Sequence, residues 1–316
     1  MFGCLKRYKD TILGKKIQIL MTVKEYRVNL IEQLSSIYPK TEIDSFFFIL
    51  MEEYLSLKRI DITLHPDYEI KNTHISTLNT ALKRLKNQEP IQYIIGNTEF
   101  YGYPFLVDEN TLIPRPETEE LVEWILEETK KLQSIKGSIP LHILDIGTGT
   151  GCIPIALAKN LPTATVFAID ISADALKIAK KNADINTVKI TFLQTDILKV
   201  NSLDEVLKQL QQNEINFDII VSNPPYVREL EKAEIQPNVL QNEPHLALFV
   251  PDENPLLFYD KIADLAKENL TENGLLFFEI NQYLGNETLT MLKEKGFKNI
   301  ELRKDLFKND RMIKVQ

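Results

Sequence analysis

Cysteine and histidine are scarce in this chain of 316 residues, which contains two cysteines and four histidines. Cys4 and Cys152 lie far apart in the sequence, so we expect neither a disulfide framework nor a cysteine-based zinc site. The histidines also lack the spacing of ligand motifs such as H-E-x-x-H. We therefore predict a protein without a metal centre.

Long apolar runs are missing as well. The longest dense run, Phe46–Met51, has six residues, whereas a membrane-spanning helix needs about 20. Residues 1–20 are basic but lack the apolar stretch and the cleavage site of a secretory signal. These residues form an N-terminal extension of uncertain status, and Met1 and Met21 both stay open as the start. We expect a cytoplasmic enzyme or interaction protein of bacterial type, with no membrane partner.

An excess of basic charge is also absent. The chain has 37 Lys and Arg residues against 45 Asp and Glu residues, which gives a net charge of −8. Residues 101–316 are more acidic still, with 23 basic and 33 acidic side chains. Proteins that hold bare nucleic acid concentrate lysine and arginine to neutralise phosphates. Nucleic acid is therefore disfavoured as a direct substrate.

The length predicts about two domains, and the hydrophobic pattern divides the chain accordingly. Between Val23 and Glu89, apolar residues recur at spacings of three and four, so residues 21–95 are predicted to form a small helical domain. Residues 96–112 are rich in aromatic and turn residues and are predicted to form a β-hairpin linker. Residues 113–316 form the remaining domain, which opens with a helix near Pro116.

The second domain alternates short apolar runs with helical segments. Such runs are typical of strands that are buried on both faces of a parallel sheet. The predicted strands are Leu141–Ile146, Thr165–Asp170, Lys189–Gln194, Phe217–Ser222 and Leu275–Ile280, followed by an antiparallel hairpin over 299–315. The fold class is therefore α/β.

A glycine loop, residues 145–151, follows the first of these strands. It reads Asp145-Ile146-Gly147-Thr148-Gly149-Thr150-Gly151. Glycines let the chain turn tightly and let backbone N–H groups approach a ligand. The G-x-G-x-G spacing differs from the G-x-G-x-x-G of dinucleotide binders, and no Lys-Ser/Thr of a P-loop follows. The alternative is a turn that only packs a helix on a strand.

Acidic residues at the next two strand ends favour a nucleoside ligand. Asp170 ends the second strand, where a carboxylate can accept hydrogen bonds from both ribose hydroxyls. Asp196 and Ile197 follow the third strand and could give a base one polar contact and one apolar wall. A cofactor at the carboxyl edge of the sheet is therefore predicted.

An Asn-Pro-Pro-Tyr tetrad, residues 223–226, follows the fourth strand. The prolines stop the strand and leave carbonyls free to accept hydrogen bonds. Asn223 adds an amide oxygen, and Tyr226 adds a flat apolar face. Together they form a receptor for a planar group that bears an NH₂, either a carboxamide or an exocyclic amine. The alternative is an ordinary turn at the end of a strand.

These motifs together resemble the S-adenosylmethionine-dependent amino-methyltransferases. Further segments narrow the resemblance to the peptide chain release factor glutamine N5-methyltransferases. They are Pro90–Gly96, Glu99–Gly102, Thr111–Glu119, Glu243-Pro244 and Ala247-Leu248. The resemblance spans about residues 21–316 and implies a seven-stranded, Rossmann-like class I methyltransferase domain preceded by a small helical-bundle domain that recognises the protein substrate.

The resemblance also implies a reaction and a set of site residues. A methyl group would pass from S-adenosylmethionine to the glutamine of the Gly-Gly-Gln motif of class 1 release factors. The catalytic residues would be Asn223, Pro224, Pro225 and Tyr226. The cofactor would contact Asp145, Gly147, Thr148, Gly149, Thr150, Gly151, Asp170, Asp196, Ile197 and Asn223. Leu112 and Ile113 would line the glutamine slot.

Several alternatives stay open. The acceptor could be a glutamine of a ribosomal protein, or an adenine amine that is flipped into the same pocket. A non-catalytic module with the same fold is a third alternative, although Gly149, Asp170 and Asn223 are all present. Arg115 could contact the substrate backbone, contact a neighbouring carboxylate or lie free at the surface. His245 is a candidate for an acid–base role, although a methylated, positively charged amide would lose its proton readily to water without it.

Overall fold

The computed structural model describes residues 21–137, 139–208 and 215–316. The described residues fall into two compact units that meet in sequence at Ile95 and Gly96. The N-terminal extension predicted over residues 1–20 lies outside the described residues. Among the described helices, none is both long and apolar enough to cross a membrane.

The first unit is a small set of helices closed by a two-stranded ribbon. Thr22 begins its first helix with a capping box, because its side chain accepts the N–H of Glu25 and its own N–H donates to the Glu25 carboxylate. Tyr26, Phe47 and Leu78 lie in its buried apolar core. Its elements are β1 (Met21–Thr22), α1 (Val23–Leu34), α2 (Lys40–Leu55), α3 (Arg59–Leu64), β2 (Glu69–Ile70), α4 (Asn72–Lys86) and α5 (Ile91–Ile95).

The second unit begins with a hairpin and a long helix and continues with alternating strands and helices. Pro116 is the first residue of the long helix, as predicted. The elements are β3 (Asn97–Phe100), β4 (Tyr103–Leu106), α6 (Pro116–Lys136), β5 (His142–Ile146), α7 (Cys152–Asn160), β6 (Thr165–Asp170), α8 (Ala173–Ile185), β7 (Ile190–Gln194), α9 (Leu203–Leu207), β8 (Phe217–Ser222), β9 (Val227–Arg228), α10 (Pro237–Asn242), α11 (His245–Leu248), β10 (Phe249–Val250), α12 (Leu257–Asn269), β11 (Leu270–Glu279), α13 (Gly285–Glu294), β12 (Glu301–Lys304) and β13 (Asp310–Val315).

A seven-stranded sheet organises the second unit, with the strand order β12-β13-β11-β8-β5-β6-β7. Within this sheet, neighbouring strands are parallel in the run β7-β6-β5-β8-β11, whereas β13 runs antiparallel to both β11 and β12. Apolar layers cover both faces, with Phe278 in one layer and Trp124 and Phe277 in the other. The predicted α/β class with a seven-stranded methyltransferase-type sheet is confirmed.

The fifth strand differs from its prediction because it begins earlier. β11 begins at Leu270 rather than Leu275, and its register against β8 shifts between these two residues. The polar residues before Leu275 indicate a turn by composition, yet they form a bulge within the strand. Gly274 is required there, since a Cβ at this position would lie 2.9 Å from the carbonyl oxygen of Phe217.

The predicted hairpin is formed by β3 and β4, and side chains of α8 hold it. Asn182 accepts the N–H of Leu106 at 2.7 Å and donates to the Leu106 carbonyl at 3.0 Å. Asn186 donates to the carbonyl of Pro104 at 2.9 Å. These bonds attach the hairpin to α8 and its C-terminal end within the same unit.

Candidate active site

The glycine loop and the tetrad lie at neighbouring strand ends. β5 and β8 are adjacent in the sheet, and the chain order reverses between them, which is where open α/β sheets bind ligands. The Ser222 hydroxyl at the end of β8 donates to the carbonyl of Ile146 at the end of β5, at 2.6 Å. This bond ties the start of the tetrad to the start of the glycine loop.

Backbone hydrogen bonds fix the glycine loop. The N–H groups of Gly147 and Thr148 both donate to the Ile169 carbonyl on β6, at 2.9 and 3.0 Å. Gly149 has a φ of +54°, and a Cβ built on it would meet no atom within 4 Å. Gly151 also has a positive φ, but there a Cβ would lie 3.1 Å from Ile155 and 3.2 Å from Ala179. Gly149 therefore faces open space, whereas Gly151 permits the close packing of α7 on α8.

The loop begins at an ionisable side chain that has no hydrogen bond. Asp145 is fully buried, and neither of its carboxylate oxygens has a partner among the described residues. Burial raises the pKa of Asp145 to about 7, and the nearby Thr148 hydroxyl acts in the opposite direction. That hydroxyl is itself buried and has no hydrogen-bond partner among the described residues. Such groups are rare in native proteins and indicate a place that a polar ligand fills.

Asp170 lies beside the same loop. Its carboxylate accepts the N–H of Gly149 and the N–H of Ser172, each at 2.8 Å. Burial raises its pKa, and these backbone donors act in the opposite direction. Asp170, the residue predicted to bind the ribose, is therefore hydrogen-bonded directly to the glycine loop.

At the end of the third strand, Asp196 and Ile197 already have contacts within the protein. Asp196 caps a short 3₁₀ helix, because it accepts the N–H of Leu198 at 3.1 Å, and it also pairs with Lys199 at 2.9 Å. Ile197 is buried in the apolar layer beneath. The contact of these residues with a base stays a prediction.

The tetrad is held by side chains from two other elements. The Asn223 amide Nδ2 donates to the Thr118 hydroxyl at 3.3 Å, and that hydroxyl donates to Glu279 Oε2 at 2.7 Å. The Tyr226 hydroxyl donates to Glu279 Oε1 at 3.1 Å. Asn281, just after β11, donates to the Tyr226 carbonyl at 2.9 Å. The first turn of α6 and the end of β11 thus orient both polar members of the tetrad.

Glu279 is a buried acid at the centre of these contacts. Burial raises its pKa, while the Thr118 hydroxyl, the Arg311 guanidinium and the Tyr226 hydroxyl lower it. Burial also raises the pKa of the Tyr226 phenol, so that this hydroxyl remains a donor. Each oxygen of Glu279 accepts one hydrogen bond from a hydroxyl group, Oε2 from Thr118 and Oε1 from Tyr226.

Sequence reasoning missed Thr118 and Glu279 as parts of the site. Glu279 does carry a usable signal, because it is the single acid in the apolar run Leu275–Ile280 and lies at the carboxyl end of a strand. Thr118 gives no such signal, since its partner is 161 residues away in sequence.

A second carboxylate fixes the segment before α6. Glu243 accepts the N–H of Ile113 at 3.2 Å and also forms an ion pair with Arg115. Of the alternatives for Arg115, the structure shows the contact with a neighbouring carboxylate. His245 Nε2 hydrogen-bonds the Leu240 carbonyl at 2.9 Å, and its ring packs on Phe249, which supports a structural role.

Metal ligands are not clustered in the part of the chain that the structure describes. Within it, no group of three or more His, Cys, Asp or Glu side chains could hold a metal ion.

Comparison with known proteins identifies the family. The "Methyltransferase small domain" family matches residues 130–246, and the "PrmC N-terminal domain" family matches residues 29–96. A release factor glutamine methyltransferase of Flavobacterium psychrophilum is 56% identical over 295 residues, which cover 93% of this chain and 99% of that protein. The chain belongs to the release factor glutamine methyltransferase family.

One further member of the family and one solved structure are also similar to this chain. The release factor glutamine methyltransferase of Bacteroides thetaiotaomicron is 41% identical over 282 residues, 89% of this chain and 95% of that protein. A solved structure of the human methyltransferase 10 domain containing protein has a TM-score of 0.50 and 18% identity, and the match covers 68% of this chain and 88% of that chain. This second likeness concerns the fold alone.

Proposed function

We propose that this chain transfers a methyl group from S-adenosylmethionine to the side-chain amide nitrogen of the glutamine in the Gly-Gly-Gln motif of class 1 release factors. Membership of the family supports the reaction. The observation that carries the proposal is the orientation of Asn223 by Thr118 at the strand end next to the glycine loop. A substrate from the translation machinery would place the enzyme in the cytoplasm.

The cofactor side offers groups that fit S-adenosylmethionine. When bound, this cofactor supplies an electrophilic methyl group on a sulfonium. Asp145 and Thr148 provide buried acceptors without partners, which suit an ammonium group and hydroxyls. Gly149 leaves room above the loop, and Asp170 provides a carboxylate for the ribose. Gly147, Thr150 and Gly151 would contribute through their backbone, and Asp196 and Ile197 would lie by the base.

The substrate side offers acceptors for an amide NH₂. Asn223 Oδ1 and the Pro224 carbonyl would accept its two hydrogens, while Pro225 and Tyr226 would pack on the amide plane. An amide nitrogen is a poor nucleophile because its lone pair is delocalised, so catalysis here consists of orientation and of stabilising the charge that grows on nitrogen. Asn223 and the Pro224 carbonyl would hold the amide nitrogen towards the methyl group that the cofactor would supply, and the methylated nitrogen would release one N–H proton to water.

The segment around Ile113 would shape the slot for the glutamine side chain. Half-buried Leu112 would supply apolar surface beside buried Ile113, whose backbone N–H is fixed by Glu243. The helices of residues 21–95 would contact the rest of the release factor. With these assignments, the release factor rather than the cofactor would be the main partner of the tetrad.

The test is a transfer assay with methyl-labelled S-adenosylmethionine and three acceptors: release factors, ribosomal proteins and duplex DNA. We expect label on the release factor, which mass spectrometry then locates on the glutamine of Gly-Gly-Gln. A release factor with that glutamine changed to alanine is the control and should stay unlabelled. Label on DNA or on a ribosomal protein alone would overturn the proposal.

A further inference from the structure

The two polar members of the tetrad share one carboxylate. Glu279 Oε2 accepts from Thr118 at 2.7 Å, and Glu279 Oε1 accepts from Tyr226 at 3.1 Å. Glu279 and Thr118 are both buried, at 1% and 2% exposure, so water does not compete for these bonds. The tetrad is thus connected to the interior through a closed set of hydrogen bonds.

The direction of each hydrogen bond in this set is fixed by chemistry. An ionised carboxylate only accepts, so with Glu279 ionised the Thr118 hydroxyl must donate its single proton to that side chain. The Thr118 oxygen can then only accept, and its remaining neighbour is the Asn223 amide at 3.3 Å. Asn223 must therefore present Nδ2 to Thr118, which leaves Oδ1 for the opposite side.

We infer that Glu279, acting through Thr118, sets which end of the Asn223 amide faces the substrate and thereby makes the site select glutamine over glutamate. This inference rests on the proposed function. Asn223 Oδ1 accepts a hydrogen from the glutamine NH₂ but repels the oxygens of a glutamate. With the amide reversed, Nδ2 would donate to a carboxylate and lose its fit to an NH₂. Glu279 and Thr118 are positioning residues, since neither touches the substrate.

Two variants break the order of donors and acceptors. In Glu279→Gln, the new amide can donate to Thr118, so that the hydroxyl can point to Asn223 and favour its reversed orientation. In Thr118→Val, the hydroxyl is lost and Asn223 has no fixed partner. Thr118→Ser keeps the hydroxyl and is the conservative variant.

The readout is discrimination between two forms of the full-length release factor. The natural factor is the substrate, and the variant with glutamate in Gly-Gly-Gln is a competitive inhibitor. We measure the ratio of the inhibition constant to KM. For the unaltered enzyme we expect a ratio of at least about 30, and for Glu279→Gln and Thr118→Val a ratio within about threefold of one.

Thr118→Ser is expected to restore most of the ratio. Thr288→Val serves as the matched control, because Thr288 is equally buried and its hydroxyl donates to the Leu284 carbonyl at 2.7 Å, away from the tetrad. It should leave the ratio unchanged. Cofactor affinity and Tm, measured for every variant, identify any that is misfolded.

The outcomes separate the two proposals. If the unaltered enzyme does not methylate the release factor, the proposed function fails. If it does, but Glu279→Gln and Thr118→Val weaken the binding of both forms equally and keep the ratio, the inference is wrong. A variant that misfolds is replaced by Thr118→Ala, which also removes the hydroxyl between Glu279 and Asn223 and should lose the ratio; a retained ratio would contradict the inference.

Discussion

The glycine loop and the tetrad lie at adjacent strand ends but are held by different means. In the glycine loop, the fixed contacts are backbone groups: the N–H groups of Gly147 and Thr148 bond a strand carbonyl, and that of Gly149 bonds a carboxylate. In the tetrad, side-chain contacts run from Asn223 through Thr118 to Glu279, beside one bond from Asn281 to the Tyr226 carbonyl. A loop held by its backbone depends on conformation, whereas a loop held by side chains depends on chemical identity.

This difference predicts two classes of variants. Changes to the glycine loop should alter cofactor affinity, and changes around the tetrad should alter turnover or substrate affinity with the cofactor unaffected. A variant that crosses between these classes would show that the two loops do not act separately.

The largest effect is expected for Asn223→Ala. Loss of the oriented acceptor should lower kcat by about 10²–10³-fold, because the charge that grows on the substrate nitrogen loses its partner. The dissociation constant of the cofactor, measured by calorimetry, should stay within about threefold. Asn286→Ala, on an exposed turn of α13, is the control and should change neither. Lost cofactor affinity at unchanged kcat would contradict the comparison.

Gly149→Ala should weaken cofactor binding by about 10–100-fold, since a Cβ there would fill the open space above the loop. The left-handed φ should add about 1–2 kcal/mol of strain to the fold. Gly151→Ala is its matched counterpart with similar strain, but its Cβ would press on Ile155 and Ala179. Overpacking should cost about 1–3 kcal/mol more. Tm should therefore fall further for Gly151→Ala, and equal losses of Tm would refute this distinction.

Asp145→Asn should change stability in a pH-dependent way. Its pKa is about 7 when folded, against an ordinary value of 3.8, so ionisation destabilises the folded cofactor-free protein as pH rises from about 4 to 7. Asparagine removes this loss. Tm of the variant should exceed that of the unaltered protein by several degrees at pH 8 and match it at pH 4.

The same substitution should weaken cofactor binding by about tenfold, because a neutral amide is a poorer partner for an ammonium group than a carboxylate. For the stability prediction, an equal difference in Tm between Asp145→Asn and the unaltered protein at pH 4 and at pH 8 would show that Asp145 does not titrate in this range.

Glu243→Gln should have the smallest effect, a rise of about 3–10-fold in KM for the release factor. Glutamine offers one acceptor where the carboxylate serves both the Ile113 N–H and Arg115. Glu128→Gln is the matched control, since Glu128 is also buried and pairs with a cation, Lys131, at 2.7 Å. A change in cofactor affinity for Glu243→Gln would contradict the expectation that changes around the tetrad leave cofactor binding unaffected.

The sequence predicts much of the fold because its signals are local. The glycine loop and the tetrad are contiguous, and each follows an apolar run whose end is clear. Thr165–Asp170 and Phe217–Ser222 match the observed strands residue for residue. Strand β11 departs from its prediction because a bulge with polar residues looks like a turn.

The supporting shell of the site could not be predicted in the same way. Its bonds join residues that are distant in sequence, such as Thr118 with Glu279 and Ile113 with Glu243. Neither the periodicity nor the spacing of the sequence predicts such pairs, because their members come together only when the strands and helices pack in the folded protein. The exception is Glu279, where an acid at the end of an apolar strand follows the same rule that singled out Asp170.

The side-chain amide of Asn182 on α8 forms hydrogen bonds with three backbone groups. It bonds the N–H and the carbonyl of Leu106 in the hairpin, and its Nδ2 also donates to the Thr150 carbonyl in the glycine loop at 2.9 Å. Ordering this one short side chain costs little conformational entropy, and it gives hydrogen-bond partners both to the hairpin and to the glycine loop. The Leu106 amide and the amides of the glycine loop are therefore expected to exchange their hydrogens together, as one cooperative unit.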